Sequence, residues 1–283
     1  MKRRISPWGS QPGMNGRVAV GQNKDYLRRL FRLVISRLGI SMNVLIVGGA
    51  GHVGSIIRPD FEHAHRVHYY DIKPVPGGES RTTIADVNDA AMIERALHDQ
   101  DAVIYLAMGR GSGPKRNANE VTSAFGVNAC GFYRFLETGL RAGIRRFVYA
   151  STLDVYSLWF KPGPLPARDD APTDAWGTYG MSKRLGEQLC LAAAQRYPDA
   201  VIIAMRLCCP CNDKGWPGNE YRNELGMKNS YMLGPNDTRR IFLQAVQCER
   251  RGAHLMNATG DVEKLRFMLD NSEEILGWKP RGE

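Results

Sequence analysis

The chain has 283 residues, of which 43% are hydrophobic and 24% are charged, so it is long enough for one large globular domain or two small ones. Its net charge is +9, but residues 1–41 alone carry +8 and the other 242 residues carry only about +1. A body with so little excess charge lacks the basic surface that binds nucleic-acid phosphates, and no run approaches the ~18 apolar residues of a membrane span. We therefore expect neither a nucleic-acid partner nor a membrane span.

The first element along the chain is a basic amphipathic segment within residues 1–41. Residues 24–38 place leucines, a phenylalanine and a valine on one helical face and arginines on much of the rest. Three roles compete for this helix: a membrane-surface or targeting helix, a helix docked on the body or on a partner, and a dispensable extension. The last alternative includes an incorrectly assigned start, because Met42 directly precedes the first predicted strand.

From residue 43 onward, short apolar runs alternate with longer amphipathic stretches. Such an alternation indicates a parallel sheet that helices cover on both faces. Residues 207–236 interrupt it with Gly, Pro and Asn, which indicates loop and lid. The predicted fold class is α/β, with a doubly wound parallel sheet over residues 42–206 and a small substrate-binding region over 207–283. The runs that predict strands are residues 43–47, 66–71, 102–107, 145–151 and 200–206.

The end of the first strand carries glycines in a G-x-x-G-x-x-G spacing, at Gly48, Gly51 and Gly54. Glycine allows a tight turn, a close approach of the backbone to a pyrophosphate, and close packing of the helix that follows. Asp71 ends the second strand, 23 residues after Gly48, where a carboxylate can bind two ribose hydroxyls. This context predicts a Rossmann-type dinucleotide site.

Asp71 also bears on which dinucleotide binds. Its carboxylate repels a 2′-phosphate, so NAD is the predicted cofactor and NADP is less favoured, although Lys73 keeps NADP open. The ends of further strands complete the predicted site, because the carboxyl ends of parallel strands meet at one edge of a sheet. The other predicted cofactor residues are His52, Val53, Ile72, Asp86, Val87, Leu106, Ala107 and Met108.

Tyr179 and Lys183 stand four positions apart at the start of a predicted helix, so they share one helix face. An ammonium beside a phenol favours the phenolate, which predicts that Lys183 lowers the pKa of Tyr179. Tyr179 would then act as a general acid/base in an alcohol–ketone interconversion, with both residues beside the cofactor ribose. Ser151 and Thr152, at the end of the predicted strand of residues 145–151, are predicted to hold the substrate oxygen.

Together these motifs resemble the extended short-chain dehydrogenase/reductase family, also called the NAD-dependent epimerase/dehydratase family. The resemblance runs from residue 43 to about residue 280 and rests on "GGAGHVG", "YYD", "ADV", "YLAM", "VNACGFYRFLE", "FVYASTLDVYS", "YGMSK" and "LGWKP", in that order. It implies an enzyme in which Thr152 is the catalytic hydroxyl and Tyr179 the acid/base. It also implies that Lys183 is the partner of Tyr179 and a ribose ligand, and that Asn128 shapes the site.

Within that family, "GHVGSIIRPDF", "AMRLCCP" and "LGWKP" look most like uronate dehydrogenases, which oxidise the anomeric carbon of sugar acids with NAD. Those enzymes carry a Ser-Asn-His run where this chain has "STLD". Only Arg222 or Lys228 lies near the place of their carboxylate-binding arginine. The resemblance therefore implies a sugar or sugar acid as the substrate, with Arg222 and Lys228 as candidate substrate-binding residues.

Three functions stay open: a hydride-transferring dehydrogenase or reductase, a nucleotide-sugar epimerase that uses the same residues, and a non-catalytic dinucleotide sensor or scaffold. The intact Thr152, Tyr179 and Lys183 argue against the third. About 77 residues follow the last predicted strand, which leaves little room to enclose a nucleoside diphosphate as well. A sugar dehydratase is not expected, because dehydratases of this family carry consecutive Asp and Glu after the threonine, where this chain has Leu153 and Asp154.

The six cysteines include one C-x-x-C spacing, Cys208 and Cys211 in "CCPC", but no second cluster or matching His pair. The histidines at His63, His65 and His68 fit the approach to a strand. We therefore predict no metal site. Free thiols fit a reducing compartment, and we expect a cytoplasmic protein. A homodimer stays open.

Overall fold

A computed structural model describes residues 41–109, 118–157, 168–216, 218 and 231–283. The predicted helix of residues 24–38 lies outside the described residues, and so do Arg222 and Lys228. No helix within the described stretches is long and apolar enough to cross a membrane.

Strands and helices alternate along the chain, as the apolar runs predict. The strands are β1 Asn43–Val47, β2 Arg66–Asp71, β3 Thr82–Ile84, β4 Ala102–Tyr105, β5 Arg146–Thr152, β6 Val201–Leu207 and β7 Gly252–Ala258. The α-helices are α1 His52–Ala64, α2 Ala90–Leu97, α3 Ala118–Phe125, α4 Phe132–Arg141, α5 Thr178–Arg196, α6 Pro235–Gln247 and α7 Asp270–Leu276. A π-helix, Gly126–Gly131, joins α3 to α4, and short 3-10 helices span Glu79–Arg81 and Leu153–Val155.

All seven strands form one parallel sheet in the order β3-β2-β1-β4-β5-β6-β7. The chain moves outward from β1 to one edge and then returns to build the other half, which is the doubly wound order of the Rossmann fold. The predicted fold class is therefore confirmed. In such a sheet, ligands bind where the strand order reverses, here at the carboxyl ends of β1 and β4.

Both faces of the sheet are buried, which explains why most residues of its strands are apolar. Alternate residues of β1 face opposite sides: Val44 and Ile46 join one core, and Leu45 and Val47 join the other. Helices α1 and α6 cover the first face and α2, α4 and α5 cover the second. Strands buried on both sides are the ones that an apolar run predicts best.

The strand bounds differ little from the predicted ones, but the sheet does not end at residue 206. The strand β7 pairs along its whole length with β6, from Val201–Gly252 to Leu207–Ala258. Residues 41–283 therefore group as one compact unit, and the boundary predicted at residue 206 falls inside the sheet. The chain after residue 206 therefore contributes strand β7 to the sheet and helix α6 to its covering layer. A role of this segment in substrate binding stays a prediction.

Candidate active site

The glycine loop after β1 has the close contacts that its spacing predicts. The amide of Gly48 donates to the carbonyl of Tyr70 (2.8 Å), and φ of Gly48 is +85°, a conformation that favours glycine. A Cβ on Gly48 would lie 2.5 Å from the nitrogen of Ala107, and one on Gly54 would lie 2.3 Å from the carbonyl oxygen of Gly49. These two glycines therefore let the ends of β1, β4 and α1 approach one another.

Gly51 differs from these two glycines because it is exposed, although a Cβ on it would lie 3.1 Å from the carbonyl oxygen of Gly48. It is the N-cap of α1, and no side chain caps that helix terminus. Unsatisfied amides and the positive end of a helix dipole suit a phosphate group. The loop thus fits the pyrophosphate of a dinucleotide, with His52 and Val53 in the first turn of α1.

Asp71 turns its carboxylate toward this loop from the end of β2. One oxygen accepts from the amide of Ala50 (2.9 Å) and the other from the amide of Lys73 (3.3 Å). The neighbouring Ile72 is 71% exposed, so its side chain is available to a ligand at this edge. The carboxylate is held where it would meet the ribose nearest the glycine loop, as the sequence predicts.

Asp71→Asn is expected to change the choice between NAD and NADP. The amide keeps the shape and an acceptor for Ala50 but removes the charge that repels a 2′-phosphate, so the NAD:NADP affinity ratio should fall at least about tenfold. Fluorescence titration with both reduced dinucleotides measures the ratio. Glu79→Gln, an exposed carboxylate on the 3-10 helix before β3, should leave the ratio unchanged. Equal ratios in Asp71→Asn and the parent would contradict this role.

The ends of the other strands lie along the same edge. Asp86 is exposed. Its carboxylate accepts from the backbone amide of Asn88 (2.8 Å) and from the side-chain amide of Asn88 (2.6 Å). Val87 is buried against Gly131, so its backbone rather than its side chain faces this edge. After β4, Leu106 and Ala107 are half-buried and Met108 is 57% exposed. The sequence predicts that these residues border a bound dinucleotide.

Asn128 is fully buried at the centre of the π-helix. Its amide nitrogen donates to Ser182 Oγ on α5 (2.9 Å), and its amide oxygen accepts from the nitrogen of Gly109 after β4 (3.0 Å). A residue with both sides of its amide occupied in this way does not act on a substrate. It holds the end of β4 against α5, which agrees with a positioning role.

Thr152 and Tyr179 are brought together by β5 and α5. Thr152 Oγ1 accepts from the amide of Asp154 (3.2 Å), and the Thr152 hydroxyl lies near enough to the phenol of Tyr179 to act on its pKa. Burial raises the pKa of Tyr179 to about 12, and the nearby hydroxyl of Thr152 counteracts part of that rise. At neutral pH, Tyr179 therefore carries its proton beside the hydroxyl of Thr152.

Lys183 lies one turn below Tyr179 on α5 and is 2% exposed. Its Nζ donates to the carbonyl oxygen of Ala150 (2.7 Å) and lies 4.9 Å from the ring centre of Tyr149 and 5.9 Å from that of Tyr179. Burial lowers the pKa of Lys183 to about 7. The prediction that Lys183 lowers the pKa of Tyr179 is wrong for this structure, because burial dominates both groups.

Lys183→Met is expected to stabilise the protein while impairing turnover. The pKa of Lys183 is lowered from 10.5 to about 7, so between these pH values the unfolded chain binds more protons and stability rises with pH. Below pH 7 the cost of the buried charge is fully present. Methionine removes this cost, so Tm at pH 6.5 should rise by at least about 2 °C, and the gain should disappear towards pH 10.5.

Thermal melts from pH 6 to pH 10 measure this effect. Lys279→Met, at a lysine whose side chain is 72% exposed, is the matched control and should leave Tm nearly unchanged. A lower Tm for Lys183→Met at every pH would show that the hydrogen bond to Ala150 outweighs the cost of burial.

Ser151 does not face the substrate as predicted. Its hydroxyl donates to Glu187 Oε1 (2.7 Å), and Glu187 forms a bidentate ion pair with Arg206 (2.9 and 2.8 Å). Neighbouring residues of a strand point to opposite sides, so Ser151 turns away from the side on which Thr152 meets Tyr179. Ser151 is therefore a structural partner of a buried ion pair.

A cleft of about 250 Å³ opens beside Tyr179. Sequence reasoning missed Trp176, which is 81% exposed and stands three residues before Tyr179, and it also missed Tyr156. An aromatic residue next to the Tyr-Lys motif was the available signal, but only the structure shows that it borders an opening. The cleft is lined by Asp154, Tyr156, Ser157, Ala175, Trp176, Gly177, Tyr179 and Gly180.

The segment after β6 contacts the glycine loop. The carbonyl oxygen of Pro210 lies 2.8 Å from His52 Nε2, which joins this segment to the first turn of α1.

All six cysteines are free thiols, as predicted. Within the described part of the chain, no group of His, Cys, Asp and Glu could hold a metal ion.

The fold and the glycine loop are those of a dinucleotide-binding protein of the Rossmann class. The model of the NAD dependent epimerase/dehydratase family matches residues 44–213. That match covers more than half of the chain, so the chain belongs to the NAD-dependent epimerase/dehydratase family. The predicted family is confirmed, and NAD as the cofactor is confirmed at the level of the family.

Several similar proteins have names that describe an activity on sugars or sugar acids. A uronate dehydrogenase of Pseudomonas syringae pv. tomato is 25% identical over 158 residues, which is 54% of each chain. An L-arabinose 1-dehydrogenase (NAD(P)(+)) of Haloferax volcanii is 25% identical over 261 residues, 84% of this chain and 96% of that enzyme. A UDP-glucose 4-epimerase of Azospirillum brasilense is 30% identical over 53% of this chain and 44% of that enzyme. The chain thus matches about half the length of the first and third.

The fold also agrees with solved structures. A short-chain dehydrogenase/reductase superfamily protein from Agrobacterium tumefaciens with bound NAD superimposes with a TM-score of 0.68. It is 20% identical, and the match covers 84% of this chain and 92% of that one. At this identity the likeness supports the fold.

Proposed function

We propose that this protein is an NAD-dependent oxidoreductase that transfers a hydride between NAD and a hydroxyl-bearing carbon of a sugar or sugar acid. The observation that carries the proposal is that β5 and α5 bring Thr152 beside Tyr179 at the carboxyl edge of the sheet, where Tyr179 lines an open cleft. A phenol and a hydroxyl that both reach one point can hold and exchange the proton of a substrate hydroxyl. NAD, when bound, supplies the hydride acceptor.

Each residue then has a distinct part. Gly51 and the start of α1 would bind the pyrophosphate, and Asp71 would bind the adenosine ribose. Thr152 orients the substrate oxygen toward Tyr179. The phenol of Tyr179 gives its proton to a carbonyl oxygen in reduction, and the phenolate left after loss of that proton takes the proton of a hydroxyl in oxidation. Lys183, whose pKa is about 7, can carry or release a proton near the catalytic phenol at neutral pH.

A nucleotide-sugar epimerase is the second candidate, because a UDP-glucose 4-epimerase is 30% identical over 158 residues of this family region. It would use the same residues and return the hydride to the other face of the sugar. A dehydratase is disfavoured because Leu153, at the position of the family's dehydratase acid, is buried and carries no proton to give.

One experiment separates these functions. The purified full chain is incubated with NAD and sugars, uronates or nucleotide sugars, and the absorbance of reduced nicotinamide is followed. Net reduction of NAD supports the oxidoreductase, whereas a new epimer without net reduction supports the epimerase. A protein that binds NAD but transforms none of these compounds would contradict the proposal and favour a scaffold role.

A further inference from the structure

The cleft beside Tyr179 has an aromatic wall. Trp176 is 81% exposed at its rim, and Tyr156 lies within it. An exposed indole at the rim of a cleft gives a ligand ring a flat apolar face to stack on. The negative face of an indole attracts the polarised C–H groups that line one face of a sugar ring. Trp176 is therefore placed to receive a sugar ring next to the phenol that would exchange its proton.

The charge of the cleft is negative. Asp154 is exposed and lines the cleft. Burial makes the largest contribution to the raised pKa of Tyr179, and the negative charge of Asp154 raises it further. Asp174 stands beside the cleft, where its carboxylate accepts from the amide and hydroxyl of Ser157 (both 2.7 Å). Carboxylates accept hydrogen bonds from sugar hydroxyls but repel a second carboxylate.

The described cations around the cleft are engaged elsewhere. Arg184 donates to Thr173 Oγ1 (3.1 Å) and to the carbonyl oxygen of Ala175 (2.7 Å). Arg206 is paired with the buried Glu187. Among the described residues that line the cleft, none is a lysine or an arginine. The described lining of the cleft therefore offers the carboxylate of a sugar acid the charge of Asp154 and no cation.

We infer that the substrate is a neutral monosaccharide, whose ring stacks on Trp176 and whose hydroxyls donate to Asp154. This inference rests on the proposed function and narrows its substrate class. The size of the cleft agrees, because about 250 Å³ lies below the ~300–1,000 Å³ of sites for larger ligands. Trp176 and Asp154 are then specificity-determining residues.

Matched sugars test the charge. D-galactose and D-galacturonate differ only at C6, and the wild-type protein should reduce NAD with at least about tenfold higher kcat/KM for the neutral sugar. D-glucose and D-glucuronate form a second pair. Asp154→Asn should lower the ratio of kcat/KM for the neutral sugar to kcat/KM for its uronate about tenfold in each pair, chiefly through changes in KM. Glu94→Gln, an exposed carboxylate on α2, should leave the ratio unchanged.

Tryptophan fluorescence tests the stacking without requiring turnover. Neutral sugars should quench part of the emission of the NAD-bound protein, and Trp176→Phe should remove that quenching. Trp176→Ala should raise KM roughly 3- to 10-fold, and Trp176→Phe should retain most of the affinity. Tyr133→Ala removes an exposed aromatic ring from α4 and is the control.

The outcomes separate the inference from the proposed function. Faster oxidation of uronates, with no effect of Asp154→Asn, would overturn the inference and leave the oxidoreductase intact. Quenching by neutral sugars that depends on Trp176, but without NAD reduction, would support the inference and contradict the proposed function. No quenching and no oxidation with neutral sugars would overturn the inference.

Discussion

Tyr179→Phe should lower turnover by about 10²-fold or more while leaving the affinity for NAD within about twofold of the parent. The substitution removes only the phenolic oxygen, which exchanges the proton of the substrate in the proposed mechanism. Thr152 keeps its contact with the amide of Asp154, so the end of β5 should stay in place. Single-turnover NAD reduction and equilibrium titration with NAD measure the two quantities separately.

Tyr133→Phe is the matched control, because Tyr133 is an exposed tyrosine on α4, away from the cleft. It should change neither quantity. Turnover in Tyr179→Phe equal to that of the parent would assign proton transfer to another group and would weaken the oxidoreductase proposal. A loss of NAD affinity equal to the loss of turnover would instead indicate that Tyr179 supports the cofactor site.

The sequence predicts the central part of the fold well, because β1, β2, β4, β5 and β6 are buried on both faces. Most residues of these strands are apolar, although β2 also carries Arg66, His68 and Asp71, and the observed strand ends lie within two residues of the predicted ones. The strand β7 was missed because it lies at the edge of the sheet and includes His254 and Asn257. A half-buried edge strand does not produce a continuous apolar run.

The candidate site was predictable where backbone geometry decides the contacts. The glycine spacing and the position of Asp71 depend on the strand–turn–helix connection, which is local in sequence. The direction of Ser151, by contrast, depends on Glu187, a residue 36 positions away. The pKa values of Tyr179 and Lys183 depend on how much of each group is buried, and that burial comes from the packing of α5 on the sheet. Spacing alone could not reveal it.

The second large effect is expected for the ion pair of Glu187 and Arg206, whose side chains are 1% and 3% exposed. Arg206→Met should lower the free energy of unfolding by about 3–5 kcal/mol, because it leaves the carboxylate of Glu187 buried with only the hydroxyl of Ser151 as a donor. Arg206→Met combined with Glu187→Met should recover much of this loss, since two apolar side chains replace both charges. Urea denaturation followed by circular dichroism measures all three proteins.

Arg250→Met supplies the control, because the pair of Arg250 and Glu274 is exposed and should contribute at most about 1 kcal/mol. A loss for Arg206→Met as small as this would show that the buried pair does not stabilise the fold. Arg206 also donates to the hydroxyl of Tyr156, a residue that lines the cleft, and to the carbonyl of Asp169. The double variant should therefore be nearly as stable as the parent but have a lower kcat/KM, because the cleft wall loses a partner that the apolar pair cannot replace.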